Sequence, residues 1–271
     1  MTSADTAATT GRYLFDNDTT EAAKQVTLLA DILDGHTVDV LGNIDIAADG
    51  RCLELGAGAG TIAAWMADEL VPSGQVTVID LNPRHITERD RTTVIGADVT
   101  AHDFGTGRYD LIHARLLFMH LPHREQVLHT VAAALRPGGV LVVSDWDTRH
   151  LDEMFVRGSA EVAAAFLAFL QALVGLGERG GMDSGWARRI PAVMGDAGLV
   201  GVTAQVFNRL WAGGSAGMLL HDCNSRQKQP ELLAAGMSLE QLDRLRTAMS
   251  DPQVWAYHWP MITAVGVRPG Q

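Results

Sequence analysis

In the stretch RCLELGAGAG (51–60), Glu54 stands two residues ahead of Gly56, and glycines recur at 58 and 60. An acid beside alternating glycines brings a carboxylate and bare backbone N–H groups up to one ligand, because glycine has no side chain to hold that ligand off. Asp80 follows about twenty residues later, the separation at which an acid takes the hydroxyls of a ribose in nucleotide-binding folds. Proton transfer near neutral pH would fall to an imidazole. Of the ten histidines, His113 and His120 come first, with His221 and His258 behind them; Asp147 is the carboxylate alternative. Each histidine is more often a packed or ion-paired side chain than a catalyst, and Asp147 can also anchor a substrate. Cys52 and Cys223 lie far apart with no metal-ligand spacing, so no metal is expected.

Such residues act together only if strands and turns converge on them. Cys52-Leu53-Glu54-Leu55 is a short apolar run that ends at the first glycine, and Thr61–Ala67 continues with helical spacing. Gln75–Leu81 is a β-branched run fit for a strand buried on both faces, with Asp80 at its end. Thr92–Ala97 predicts a third strand closing on Asp98-Val99, and Tyr109–Arg115 a fourth carrying His113 and Arg115. Leu116–Leu135 reads as a helix stopped by Arg136-Pro137-Gly138-Gly139. A fifth strand, Val140–Ser144, leads into Asp145-Trp146-Asp147. Successive βα units of this kind make a doubly wound parallel sheet. Ligands of such sheets bind past the carboxyl ends of the strands, where all of these residues fall. Downstream, Trp186–Ala197 is a core helix, Val200–Leu210 a sixth strand and Val254–Val267 the last. Helices at Tyr13–Leu41, Val162–Val174 and Ser238–Met249 would cover the strand ends.

Two nucleotide-binding patterns compete for the glycine loop. A dinucleotide turn, G-x-G-x-x-G, is met at Gly56 and Gly58 but has Thr61 at its third position, with Gly60 one residue early. The pattern E-x-G-x-G-x-G, the D-L-I-H-A-R strand and the later LRPGG-VLVV resemble the class I S-adenosylmethionine-dependent methyltransferases, in particular actinobacterial small-molecule (natural-product) members. The resemblance spans Arg51–Leu210 well and the last strand less closely. It implies a Rossmann-like α/β fold, a mostly parallel sheet with an antiparallel last strand. Residues 1–42 would form a tail and helical cover, and 43–271 a core with lid insertions at about 151–185 and 213–252. It also implies S-adenosylmethionine as cofactor and S-adenosylhomocysteine as product. Cofactor contacts would then come from Glu54, Gly56, Ala57, Gly58, Gly60, Asp80, Leu81, Asp98, Val99, His113, Arg115 and Tyr13. Asp98 would hold the adenine amino group while Val99 covers the ring, and Arg115 would meet a carboxylate, either the methionyl group or Asp110.

The aromatic residues Phe15, Trp146, Phe166, Phe169, Trp211, Trp255 and Trp259 lie in or beside the cover segments, as do Asn17 and His221. An aromatic lining with few polar anchors suits a small hydrophobic or aromatic acceptor, such as a phenol, indole or amine of secondary metabolism. Methyl transfer to it would be an in-line displacement. The alternative is a protein of the same fold that binds the cofactor without methyl transfer, as a cyclase or regulatory module. With a net charge of −11 over 271 residues, a phosphate-tracking nucleic-acid surface is disfavoured. The opening residues show no signal-peptide pattern and no stretch of about eighteen apolar residues appears, so a cytoplasmic protein off the membrane is expected. A cover helix can also be a dimer face, which leaves self-association open.

Overall fold

The computed structural model describes residues 20–270. In chain order its first half comprises α1 (Thr20–Gly42), β1 (Arg51–Leu55), α2 (Thr61–Trp65), β2 (Gln75–Asp80), β3 (Thr92–Gly96), β4 (Tyr109–Arg115), α3 (Arg124–Ala134) and β5 (Leu135–Trp146). The second half adds β6 (Phe155–Arg157), α4 (Ala160–Arg179), α5 (Trp186–Asp196), β7 (Val200–Phe207), β8 (Leu210–Ala212), α6 (Ala216–Gln227), α7 (Gln229–Ala234), α8 (Leu239–Ser250), β9 (Trp255–Tyr257) and β10 (Met261–Val267). Seven strands form the main sheet in the order β3-β2-β1-β4-β5-β10-β7. The first five pair in parallel, and β10 runs antiparallel between β5 and β7. The chain winds outward from β1 to β3 and then returns to lay β4 against β1. The resulting crevice between the β1 and β4 loops is the place where such sheets receive a ligand.

Each sheet face buries its own apolar layer. Cys52, Val76, Val78, Leu111, Val140 and Val142 pack beneath α2 and the end of α1, around Leu41 and Ile62. Alternation sends Leu53, Leu55, Ile79, Ile112, Leu141 and Val143 to the opposite face, beneath α3 and α5. Apolar residues of α1 recur at Ala22, Leu28, Ile32, Leu33, Val40 and Leu41, all buried, which gives it a continuous inward stripe. Its later half lies on the sheet, where His36 Nε2 bonds Thr263 Oγ1 at 2.9 Å. Its earlier half reaches the cover, where Gln25 Nε2 donates to Asn224 Oδ1 of α6 at 2.8 Å.

Several expected elements differ. The helix expected over Leu116–Leu135 begins only at Arg124: Leu116 and His123 both have positive φ, and Pro122 interrupts the run. The expected last strand is two. Trp255–Tyr257 belongs to a small antiparallel sheet, β6-β9-β8, and His258-Trp259-Pro260 turns the chain into β10. Likewise Val200–Leu210 divides, with β8 in the small sheet. The helix expected at Val162–Val174 extends over all of α4. By length and composition α4 could cross a membrane, but here Phe166, Phe169, Leu170 and Leu173 are buried in the core. Tyr13, Phe15 and Asn17 lie outside the described residues.

Candidate active site at the carboxyl ends of the strands

The loop after β1 is shaped by three glycines in the left-handed region, with φ of 68°, 56° and 74° at Gly56, Gly58 and Gly60. Their surroundings separate their roles. A Cβ at Gly56 would lie 3.1 Å from the Leu117 side chain, and one at Gly60 3.0 Å from Ile86. At Gly58 the nearest atom among the described residues would be Val26 Cγ1, 4.0 Å away, so none of them fills the space above this backbone. The Gly58 N–H donates to Asp80 Oδ2 at 3.1 Å, and the Asn82 N–H to Asp80 Oδ1 at 2.8 Å. A carboxylate has about four acceptor positions, so Asp80 retains capacity for ligand hydroxyls while bracing the loop. Leu81 is 74% exposed beside it, an apolar side chain left uncovered at the rim of the crevice. Asp98 Oδ1 accepts from Thr100 N–H and Oγ1 at 2.8 and 2.7 Å, an Asx turn, and Val99 is buried.

Glu54 and His113 sit opposite each other in the β1–β4 register and alternate onto the face under α1 and α2. His113 Nδ1 donates to Glu54 Oε2 at 2.7 Å, with the imidazole fully buried and the acid nearly so. Arg115 emerges on the same face and is held by Asp34 and Thr37 of α1, both at 2.8 Å. The expected Asp110 partner is engaged elsewhere, by Arg136 and the Arg51 N–H. Three residues expected at the cofactor thus form a buried strut between β1, β4 and α1.

A cavity of about 60 Å3 lies at the ends of β4 and β5. Its walls are Gln25 and Leu29 of α1, Leu116, Met119 and His120 after β4, Trp146 and Thr148 from β5 and the loop after it, Leu173 and Val174 of α4, Met182, Leu220 and Asn224 of α6, and Trp259. The cavity adjoins the glycine loop, because Leu117, next to Leu116, packs on Gly56 and Val26, next to Gln25, faces Gly58. His120 is a wall residue; burial, reinforced by the Arg124 guanidinium, pushes its pKa down to about 4, so the ring is neutral at pH 7. Leu116 holds φ +53°, an uncommon conformation for a bulky residue, of the kind that clusters at functional sites.

The remaining candidates are sorted by the same geometry. Trp146 and Trp259 line the cavity; Phe166, Phe169 and His221 form a layer behind it, and Trp211 lies in the small sheet. Asp147, expected as a base or anchor, is fully buried as a side chain and paired with Arg149 and Arg188. Burial alone would raise its pKa, but the two arginines outweigh that and hold it below the usual carboxylate range. Asp145 faces the other side of β5. Its Oδ2 accepts from Met119 N–H at 3.3 Å and Trp186 Nε1–H at 3.0 Å, and burial raises its pKa to about 8. Sequence reasoning missed Gln25, Leu116, Met119, Thr148 and Asn224 as wall residues. Buried amides on otherwise apolar helix faces were the one available signal.

Comparisons with known proteins agree with this architecture. A family model described as a methyltransferase domain matches residues 28–173. The methyltransferase str2 of Strobilurus tenacellus is 32% identical over 146 residues, 47% of this chain and 52% of that protein. The methyltransferase GfsG of Streptomyces halstedii is 29% identical over 168 residues, 57% of this chain and 60% of that protein. The chain thus spans about half to three fifths of the length of these relatives. A phosphoethanolamine N-methyltransferase from Haemonchus contortus, solved with S-adenosylhomocysteine, shares the fold at a TM-score of 0.59 and 15% identity, covering 95% of this chain and 60% of that one. With the glycine loop, the strand-end acids and a family model matching more than half its length, the chain belongs to the methyltransferase-domain family, in its class I, S-adenosylmethionine-dependent form.

Proposed function

We propose that this protein transfers a methyl group from S-adenosylmethionine to a small, largely apolar or aromatic acceptor of secondary metabolism. One observation carries the reading: the glycine loop and the aromatic-walled cavity share the walls formed by α1 and Leu116-Leu117. A ligand on the loop and one in the cavity would therefore lie side by side. The open face above Gly58 fits a bound nucleoside, with Asp80 taking ribose hydroxyls and the exposed Leu81 contacting the flat base. Asp98 keeps one carboxylate oxygen outside its Asx turn for the base.

When bound, the cofactor supplies an activated methyl on a good leaving group, so the chain's task is alignment and exclusion of water. Trp146, Trp259 and Met119 would align the acceptor. His120 is the imidazole in the wall, held neutral by burial. The Glu54–His113 strut and the Asp147 ion pairs position these elements without touching reactants. The charge of −11 and the cover over the strand ends favour a small acceptor over a nucleic acid. Calorimetry with S-adenosylhomocysteine, followed by its release from S-adenosylmethionine over a panel of phenols, indoles and amines, tests the reading. Binding without turnover favours a non-transferring cofactor protein; no heat with either molecule removes both.

A further inference from the structure

A second layer of side chains lies behind the cavity wall. His221 of α6 and His258 of the β9–β10 turn stack with ring centroids 4.7 Å apart and planes within 16°. Trp259 meets both edge-on, at 5.4 and 4.8 Å, and Trp146 lies 4.7 Å from His258. His221 and His258 are 0% and 3% exposed. Among the described residues none of their four ring nitrogens has a hydrogen-bond partner, and neither has Trp259 Nε1. These five atoms are half of the ten buried side-chain polar atoms left unpaired among the described residues, all in one place. Native interiors pair such atoms with protein, water or ligand, so a cluster of this kind points to a partner beyond the described residues.

The cavity abuts this layer. Trp146 and Trp259 belong to both, Leu220 precedes His221, and the Oγ1 of the wall residue Thr148 is also unpaired. At about 60 Å3 the cavity holds only a few waters, so an organic occupant must displace wall side chains. Displacement toward Leu29 and Leu173 gains no hydrogen bond; displacement toward the histidines gains several. Among the described residues, no carboxylate, guanidinium or ammonium lines the cavity. Burial keeps both imidazoles neutral, with His221 lowered to about 3 and His258 well below its ordinary value. A neutral imidazole presents one donor and one acceptor, the complement of a hydroxyl and a poor match for a carboxylate or an ammonium.

We infer that the stacked His221–His258 pair receives an uncharged hydroxyl of the acceptor, which makes the acceptor a neutral phenol or alcohol rather than an acid or an amine. The inference rests on the cavity being the acceptor site, as proposed above. Phenol, toluene and benzoate are matched probes of similar size. Their binding to the protein without cofactor is measured by calorimetry and by 15N spectra of the histidine rings. Phenol should bind about ten-fold tighter than toluene or benzoate, the worth of one or two good hydrogen bonds, and should move the His221 or His258 nitrogen resonances. His221→Phe and His258→Phe keep the aromatic stack, and each should bring phenol close to toluene while leaving toluene binding unchanged; two variants guard against one failing to fold. Equal binding of phenol and toluene, tightest binding of benzoate, or an intact phenol preference in both variants overturns the proposal. So do ring resonances that report trapped water and ignore every probe. Heat with S-adenosylhomocysteine is read separately: its absence alongside a phenol preference removes the cofactor reading alone, and the reverse pattern removes this one alone.

Discussion

Replacing His113 by alanine should lower stability first and turnover only as a consequence. His113 Nδ1 lies 2.7 Å from Glu54 Oε2, with the acid 3% exposed and the imidazole 0%. The alanine variant leaves that acid buried with no partner on β4. Removing one member of a buried pair costs about 3–5 kcal/mol. For a chain of this size each kcal/mol lowers Tm by about 2–4 °C, so the expected fall is about 6–20 °C. Glu54→Gln keeps a neutral hydrogen-bonding group opposite the ring and should fall by less. Thermal unfolding gives the first number, and turnover per folded molecule, measured well below the lower Tm, gives the second. The reasoning fails if His113→Ala melts within 2 °C of the parent while turnover drops about a hundred-fold, the signature of a lost base.

Other expectations follow from the same geometry. Asp80→Ala removes the brace on Gly58 and the acceptor for ribose, a charge-assisted bond worth about 1.5–3 kcal/mol, so calorimetry should show S-adenosylhomocysteine binding about ten- to a hundred-fold weaker; equal affinity removes Asp80 from the site. Gly58→Ala should fold with only the mild strain of its positive φ, yet bind no S-adenosylhomocysteine, because the new Cβ enters the open space above the loop; normal binding contradicts that placement. Asp145 keeps its proton in the fold up to about pH 8 and loses it near 3.8 when unfolded, so its contribution to stability is lost as pH rises between those values. The buried neutral histidines act oppositely but only below about pH 6.5, so between 6.5 and 8 Tm should decline, and Asp145→Asn should flatten the decline; parallel slopes refute it. Below pH 6.5 the unfolded chain takes up protons that His120 and His221 refuse in the fold, down to about 4 and 3. Stability should therefore fall with acid, and His221→Phe should lessen the fall.

Most of the main sheet is legible in the sequence because its strands are buried on both faces and read as apolar runs closed by glycine or acid. The strands carrying Glu54, Asp80 and His113 needed nothing beyond local pattern. The cover is another matter. α6 holds His221, Asp222, Asn224 and Ser225, all buried, so its composition reads as exposed loop although packing encloses it. The break at Pro260 was visible as a residue but not as a boundary between two sheets. Site roles diverged mainly where a partner lay far along the chain: Arg115 is committed to Asp34 and Thr37, and Asp147 to Arg188 besides its near neighbour Arg149. A left-handed Leu116 leaves no trace in sequence at all.

The three-stranded sheet is joined to the main sheet by three separate links. β8 follows β7 after the two-residue link 208–209, β9 meets β10 across 258–260, and β6 continues from β5 across 147–154. A flap swings on one hinge, but this plate would need all three links to bend at once, two of them only two and three residues long. The cavity wall runs instead through a contact between helices, where Gln25 of α1 bonds Asn224 of α6, outside that plate.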